Sequence, residues 1–206
     1  MSNNTKPPIL FSDQLEAWLK SDAPKTLGDL ASVFAEKSFA VTFILLMGIP
    51  ALPLPTGGIT HIFEIITALM CVQLALGFQK FWLPKKLQKT RLNILTRPKT
   101  IQKIIRLIHW FERHSRPRMA DIIKTKPFIS VAAIVMLLFT ISSFVAPPFS
   151  GLDTLPAMGV VVISLGLILE DMLVIGFGTL TGIIGIGLII FLSDVIILSF
   201  QHIFWH

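Results

Sequence analysis

Fourteen of the chain's eighteen lysines and arginines fall between Lys80 and Lys126, opposed there only by Glu112 and Asp121, with long apolar stretches on either side. A short loop so rich in Lys and Arg, joining two apolar halves, is retained in the cytoplasm during membrane insertion, because cations near apolar segments resist translocation. The segment is therefore expected to be cytoplasmic, and the chain an integral membrane protein. Composition agrees: 53% of the 206 residues are hydrophobic, 15% are charged and the mean hydropathy is +0.74, well outside the usage of soluble domains. A net charge of +6 and a pI near 9.7 would suit nucleic acid if a nucleic-acid motif accompanied them. Here the charge is one juxtamembrane block without such a motif, so anionic lipid headgroups are the expected partners and nucleic acid is not.

The amino-terminal segment, residues 1–37, is polar or amphipathic. Ile9 to Lys20 places Phe11, Leu15, Trp18 and Leu19 on one helical face, and Thr26-Leu-Gly-Asp29 reads as a capping box that starts a second short helix. Both helices are read as interfacial, lying in the headgroup region or covering the cytoplasmic end of a bundle. The first long apolar run begins only near Phe39 and is expected to act as an uncleaved anchor. Cys71, the single cysteine, lies inside an apolar run and cannot form an intrachain disulfide.

Two membrane units follow the same plan. In the first, residues 38–83, an apolar arm from Phe39 is broken by Pro50, Pro53, Pro55, Gly57 and Gly58 before a second arm resumes at Ile59. Closely spaced prolines cannot continue a helix, because each removes an amide donor and clashes with the preceding turn. In the second, residues 127–171, Phe128 to Ala146 is followed by the breaker Pro147-Pro-Phe-Ser-Gly-Leu-Asp153 and by an arm from Leu155 to Leu169. Superposing Thr56-Gly57 on Ser150-Gly151 places Pro53 on Pro147 and Thr60 on Thr154, which reads as a weak internal repeat. Between the units, residues 84–126 contain a helix from Pro98 with Ile101, Ile104, Ile105, Ile108 and Phe111 on one side and Lys99, Lys103, Arg106 and Arg113 on the other. It is read as a cationic amphipathic helix along the inner leaflet.

The ordered series Pro50, Pro53, Pro55, Gly57, Gln73-Leu-Ala-Leu-Gly77, Trp82-Leu-Pro84, Arg116-Pro-Arg118, Pro147-Pro148, Gly151, Thr154-Leu-Pro-Ala157, Leu165-Gly166 and Glu170-Asp171 resembles the ExoD family. The resemblance covers roughly Thr26 to Gly187 and implies a bacterial membrane protein associated with exopolysaccharide synthesis. Two positions depart from the family pattern: Asp153 stands where the family tends to carry Asn, and Met172 where it tends to carry Gly.

The carboxyl-terminal segment, residues 172–206, opens with a spanning-length, glycine-rich run to Leu192, after which Asp194 is expected to end the span and Val195 to Trp205 to anchor at the interface. Gly178-Thr-Leu-Thr-Gly182 is a small-xxx-small pattern, open either to a helix of the same chain or to a homodimer.

Chemistry-bearing residues are few. The expected functional positions are the breaker residues Pro53, Pro55, Gly57, Pro147, Gly151, Asp153 and Pro156, with Gln73 as an interhelical hydrogen-bonding residue and Glu170 and Asp171 as a cytoplasmic helix-end turn. Asp153 is read as a helix cap, a cation ligand or a proton acceptor. His61 and Glu64, three apart on one helix, could form a proton relay or part of a metal site, but no further ligands complete a coordination set. No G-x-S-x-G, H-E-x-x-H or P-loop sequence occurs. The chain is therefore expected to be no enzyme and to carry no cofactor or metal. Its expected role is to transport or handle a lipid or ion at the paired broken helices, or else to serve as a non-catalytic scaffold for polysaccharide-synthesis proteins.

Overall fold

A computed structural model describes residues 11–21, 26, 37–52, 59–78, 98–146 and 150–204. Pro53, Pro55 and Gly57 of the first breaker, Pro147 of the second, the helix expected after Thr26 and the basic stretch 79–97 lie outside the described residues. Within them the secondary structure is helical and contains no strand: α1 (Phe11–Lys20), α2 (Ser38–Met47), α3 (Ile59–Ala75), α4 (Pro98–His114), α5 (Ala120–Ile123), α6 (Lys126–Val145), α7 (Thr154–Leu169) and α8 (Met172–Phe204).

The interior is built around α2 and α7. Every residue of α2 is buried, and α7 is buried without interruption from Gly159 to Gly166. A helix apolar on all sides has no face suited to water and goes to the centre of a fold or into lipid. Here α2 and α7 take the first course, while α6 and α8 combine the two. Lys126–Val145 and Met172–Leu192 are long and apolar enough to cross a membrane, yet only 33% and 28% of their apolar windows are buried within the chain. Their outer sides expose Ile134, Leu138 and Ile141 on α6 and Leu180, Ile183 and Ile184 on α8, and the neighbouring α3 adds Ile62, Ile65 and Leu69. Apolar exposure on this scale is compatible with a membrane protein.

Close packing of α8 on α7, the most extensive helix pair in the fold, depends on glycine. A Cβ on Gly159 would lie 2.8 Å from the Cα of Gly182, one on Gly178 would lie 2.7 Å from the amide nitrogen of Ile163, and one on Gly182 would strike the Phe139 ring at 2.1 Å. The small-xxx-small face is thus filled by α7 and α6 of the same chain. The candidate span Met172–Leu192 has the expected bounds, and the helix itself continues past it: α8 is one helix of 33 residues. Ser193 and Asp194 are weak helix formers but neither breaks the backbone hydrogen-bond ladder as proline would.

The ends of α3 and α7 match. At α3, Gly77 adopts φ +85°, with Phe78 N–H donating to Gln73 O at 3.1 Å and Gly77 N–H to Leu74 O at 3.0 Å. At α7, Glu170 takes φ +56°, and Asp171 N–H donates to Gly166 O at 3.0 Å. Both are left-handed turns that satisfy terminal carbonyls, and the second is made by a residue with a side chain.

The amphipathic helices pack as a pair. Leu15 and Trp18 of α1, and Ile108 and Phe111 of α4, are buried, as their spacing predicts. At one end of α4, Lys103, Leu107 and Ile108 lie across a small cavity from Gly48, Ala51, Leu52 and Met158; at the other, Ser115 and Arg116 reach Asp171. The helix therefore runs lengthwise beside α2 and α7, with Lys103, Arg106 and Arg113 exposed on its outer side.

Candidate functional site

The amino-terminal end of α3, the carboxyl-terminal end of α6 and the start of α7 converge on one buried carboxylate. Glu64 is 1% exposed. Its Oε1 accepts a hydrogen bond from Ser143 Oγ at 2.7 Å, and its Oε2 lies 2.8 Å from His61 Nδ1. His61 precedes Glu64 by three residues, so one helix turn brings their side chains together. The imidazole is one-third exposed and edge-on to the Phe144 ring at 5.1 Å. It thus joins the outside to an otherwise enclosed carboxyl group. An isolated charge at this depth would be costly, and burial is sustained only with such partners.

Asp153 borders the same group. It occupies the N-cap position of α7 and makes no side-chain cap hydrogen bond, its carboxylate lying against the backbone of Asp153 itself and Thr154. Its carbonyl oxygen accepts from Ala157 N–H at 3.1 Å and from the Ser143 hydroxyl at 3.3 Å. Gly151, at φ +71°, supplies the left-handed turn that delivers Asp153 to this place, a conformation glycine adopts without steric penalty. Pro156 lies in the first turn of α7, where a missing amide proton costs nothing, and a Cβ on Gly185 would come within 2.5 Å of its ring.

Deeper along the same side of α3 lie Thr67 and Cys71, both fully buried. The Thr67 hydroxyl has no hydrogen-bond partner among the described residues, and Cys71 is next to Thr140 of α6. A file of polar groups thus runs inward from Glu64 between α3 and α6. Gln73 is buried farther along α3, near the opposite end of the bundle and away from Glu64. Among the described residues there is no cluster of three or more His, Cys, Asp or Glu side chains, so His61 and Glu64 gain no further ligand of that kind.

Asp171, also 1% exposed, is held quite differently. Its carboxylate accepts from Ser115 Oγ and Arg116 N–H at 3.0 Å each and from Leu173 N–H at 3.0 Å, with Arg118 at 3.5 Å. Burial pushes this carboxyl upward, but the amides of Arg116 and Leu173, the Ser115 hydroxyl and the Arg118 charge outweigh it and hold its pKa below the usual range. Arg118 N–H also donates to Glu170 O at 3.0 Å, and Lys124 pairs with Glu170 at 2.9 Å. Arg116-Pro-Arg118 and Glu170-Asp171, far apart in sequence, thus latch the α7–α8 turn to the segment after α4. The sequence reading had Glu170-Asp171 as a helix-end turn and had no signal for its partners.

Ser143 was also missed, since a lone serine near the end of an apolar helix carries no signature. The pairing of His61 with Glu64, by contrast, was open to view in their spacing.

The family model described as "Exopolysaccharide synthesis, ExoD" matches residues 11–191. An uncharacterized protein of Synechocystis sp. (strain ATCC 27184 / PCC 6803 / Kazusa), slr1875, is 27% identical over 178 residues, which cover 85% of this chain and 82% of that protein. No solved structure matches. The match spans both arms of each unit, the Glu64 site and the Asp171 latch, and the chain belongs to the ExoD exopolysaccharide-synthesis family.

Proposed function

We propose that this is a multi-pass inner-membrane protein, with residues 80–126 cytoplasmic, that takes up and releases protons at Glu64 in support of exopolysaccharide synthesis. The observation that carries this reading is the enclosed Glu64 carboxyl, joined on one oxygen to a titratable, partly exposed imidazole and on the other to a hydroxyl. Intramembrane ionisable groups are expensive and mark ion and proton pathways. One exchange step needs no other reactant: Glu64 gives its proton to His61 Nδ1, and the resulting carboxylate keeps the Ser143 hydrogen bond while the imidazolium faces outward to release a proton.

The two membrane units are, in this reading, copies. Helices α3 and α7, of 17 and 16 residues, end in the same left-handed turn. The principal contacts α3 with α6 and α2 with α7 exchange when the units are swapped. Both first arms run in one direction, so the copies are related by rotation about the long axis of the bundle.

The test is proton flux. Purified protein in liposomes holding a pH-sensitive dye, driven by a potassium gradient with valinomycin, should acidify the lumen, and Glu64→Gln should not. Equal flux from the two proteins would sink the proposal.

The scaffold reading is favoured by a separate observation, the outward cationic side of α4 with Lys103, Arg106 and Arg113 exposed. It requires that a Lys103, Arg106 and Arg113 triple glutamine variant lose exopolysaccharide output while Glu64→Gln retains it.

A further inference from the structure

At the end of the bundle opposite Glu64, the amino termini of α2 and α6 and the carboxyl termini of α3 and α7 surround a cavity of about 750 Å³. Its floor is apolar, formed by Phe39, Ala40, Leu74 and Ile168 among others, and among the described residues its wall carries Lys37, Lys124 and Lys126 against a single acid, Glu170. We propose that this cavity binds the headgroup of an anionic phosphomonoester lipid, with the first carbons of its chain on the apolar floor.

Three features converge on that chemistry. Three lysines at one mouth attract an anion, and ammonium groups suit phosphate as point charges. Two helix amino termini open onto the same space, and neither is closed by a side chain: Lys37 and Thr125 make no capping hydrogen bond, and the Thr125 hydroxyl instead donates to Ile122 O at 2.7 Å. The positive end of a helix dipole favours an anion.

The carbonyl ends that would repel one are already engaged. Lys37 Nζ donates to Ile168 O at 3.2 Å, the turn at Gly77 closes α3, and Asp171 N–H closes α7. Glu170 is neutralised by Lys124 at 2.9 Å. The apolar floor decides for a lipid over a free ion, since a hydrated phosphate gains nothing from Phe39 and Leu74. Exposed Leu76 and Phe78, beside the rim, continue the apolar surface outward for the rest of the chain.

The full-length protein in detergent, titrated with dioleoyl phosphatidic acid, dioleoyl phosphatidylcholine or inorganic phosphate and read by native mass spectrometry, tests the assignment. Phosphatidic acid should bind at least about tenfold more tightly than phosphatidylcholine, and inorganic phosphate should not displace it at millimolar concentration. The combined Lys37→Gln, Lys124→Gln and Lys126→Gln variant should lose about tenfold or more in affinity. Lys103→Gln, Arg106→Gln and Arg113→Gln, which remove the same charge from the outer side of α4, should leave it unchanged. Ala40→Phe, which fills the floor and keeps the charge, should also weaken binding. An equal loss in the α4 variant, equal binding of the two lipids, or displacement by inorganic phosphate would each overturn the proposal.

Discussion

Glu64 and Asp171 are equally buried, and they are buried for opposite ends. Asp171 faces two backbone amides, a hydroxyl and an arginine, all of which donate whatever the pH of ordinary solution, so its charge is permanent and its place fixed. Glu64 faces one hydroxyl and one imidazole, and the imidazole can itself hold or release a proton. The first carboxylate ties segments of chain together. The second has a partner with which to exchange. Burial by itself does not mark a functional carboxylate; the chemistry of the donors around it does.

The largest effect expected from breaking this contrast is at Glu64. Glu64→Gln keeps the size and one acceptor oxygen but abolishes proton exchange, so exopolysaccharide output in a complemented deletion strain should fall to that of the strain without the gene, with the protein still present in the membrane. Output at the wild-type level would place Glu64 with Asp171 as a structural group.

Asp171→Asn should act through stability. One carboxylate oxygen becomes an amide that can only donate, leaving at least one of the Ser115, Arg116 or Leu173 donors unmatched, at a cost of about 1–3 kcal/mol. The thermal midpoint of the purified protein should fall, and the protein that remains folded should keep its activity per molecule.

The pH dependence of that latch sharpens the comparison. Because the folded-state pKa of Asp171 is depressed, its contribution is fully present above the unfolded carboxyl value of about 3.9 and is lost as pH falls through the lower folded value. A thermal midpoint that declines below about pH 4 in the native protein should show less decline in Asp171→Asn. Identical profiles would remove Asp171 from the account.

The smallest effect is expected at Asp153. It makes no side-chain cap hydrogen bond, and its carbonyl, which faces Ser143, is unchanged in Asp153→Asn. The shift in stability should be within about 0.5 kcal/mol and output should be nearly normal. A loss as deep as that of Glu64→Gln would extend the exchanging group to both acids.

Much of the helical plan was legible, because long apolar runs punctuated by proline and glycine leave little choice of element. The starts of α4 at Pro98 and of α7 just after Asp153 follow from local rules of helix initiation. Which helix would sit at the centre did not follow. Helices α2, α6, α7 and α8 are apolar on every side, and the close approaches at Gly159, Gly178 and Gly182, which join α8 to α7 and α6, are tertiary facts that the apolar pattern does not contain. The latch and the site were illegible for the same reason: Ser115 and Asp171, or Ser143 and Glu64, are joined by tertiary contact across 56 and 79 residues, and no periodicity reports such a distance.

The uninterrupted course of α8 has a geometric consequence. At about 1.5 Å per residue, its 33 residues reach about 50 Å, whereas the hydrocarbon of a bilayer is about 30 Å deep. Gly185 meets the beginning of α7, and Ile189, one turn further along, is still buried. If the apolar run Met172–Leu192 crosses a bilayer from Met172 at one boundary, position 194 falls about 33 Å away, near the opposite one. The ten residues from Val195 to Phe204 would then rise about 15 Å beyond that boundary.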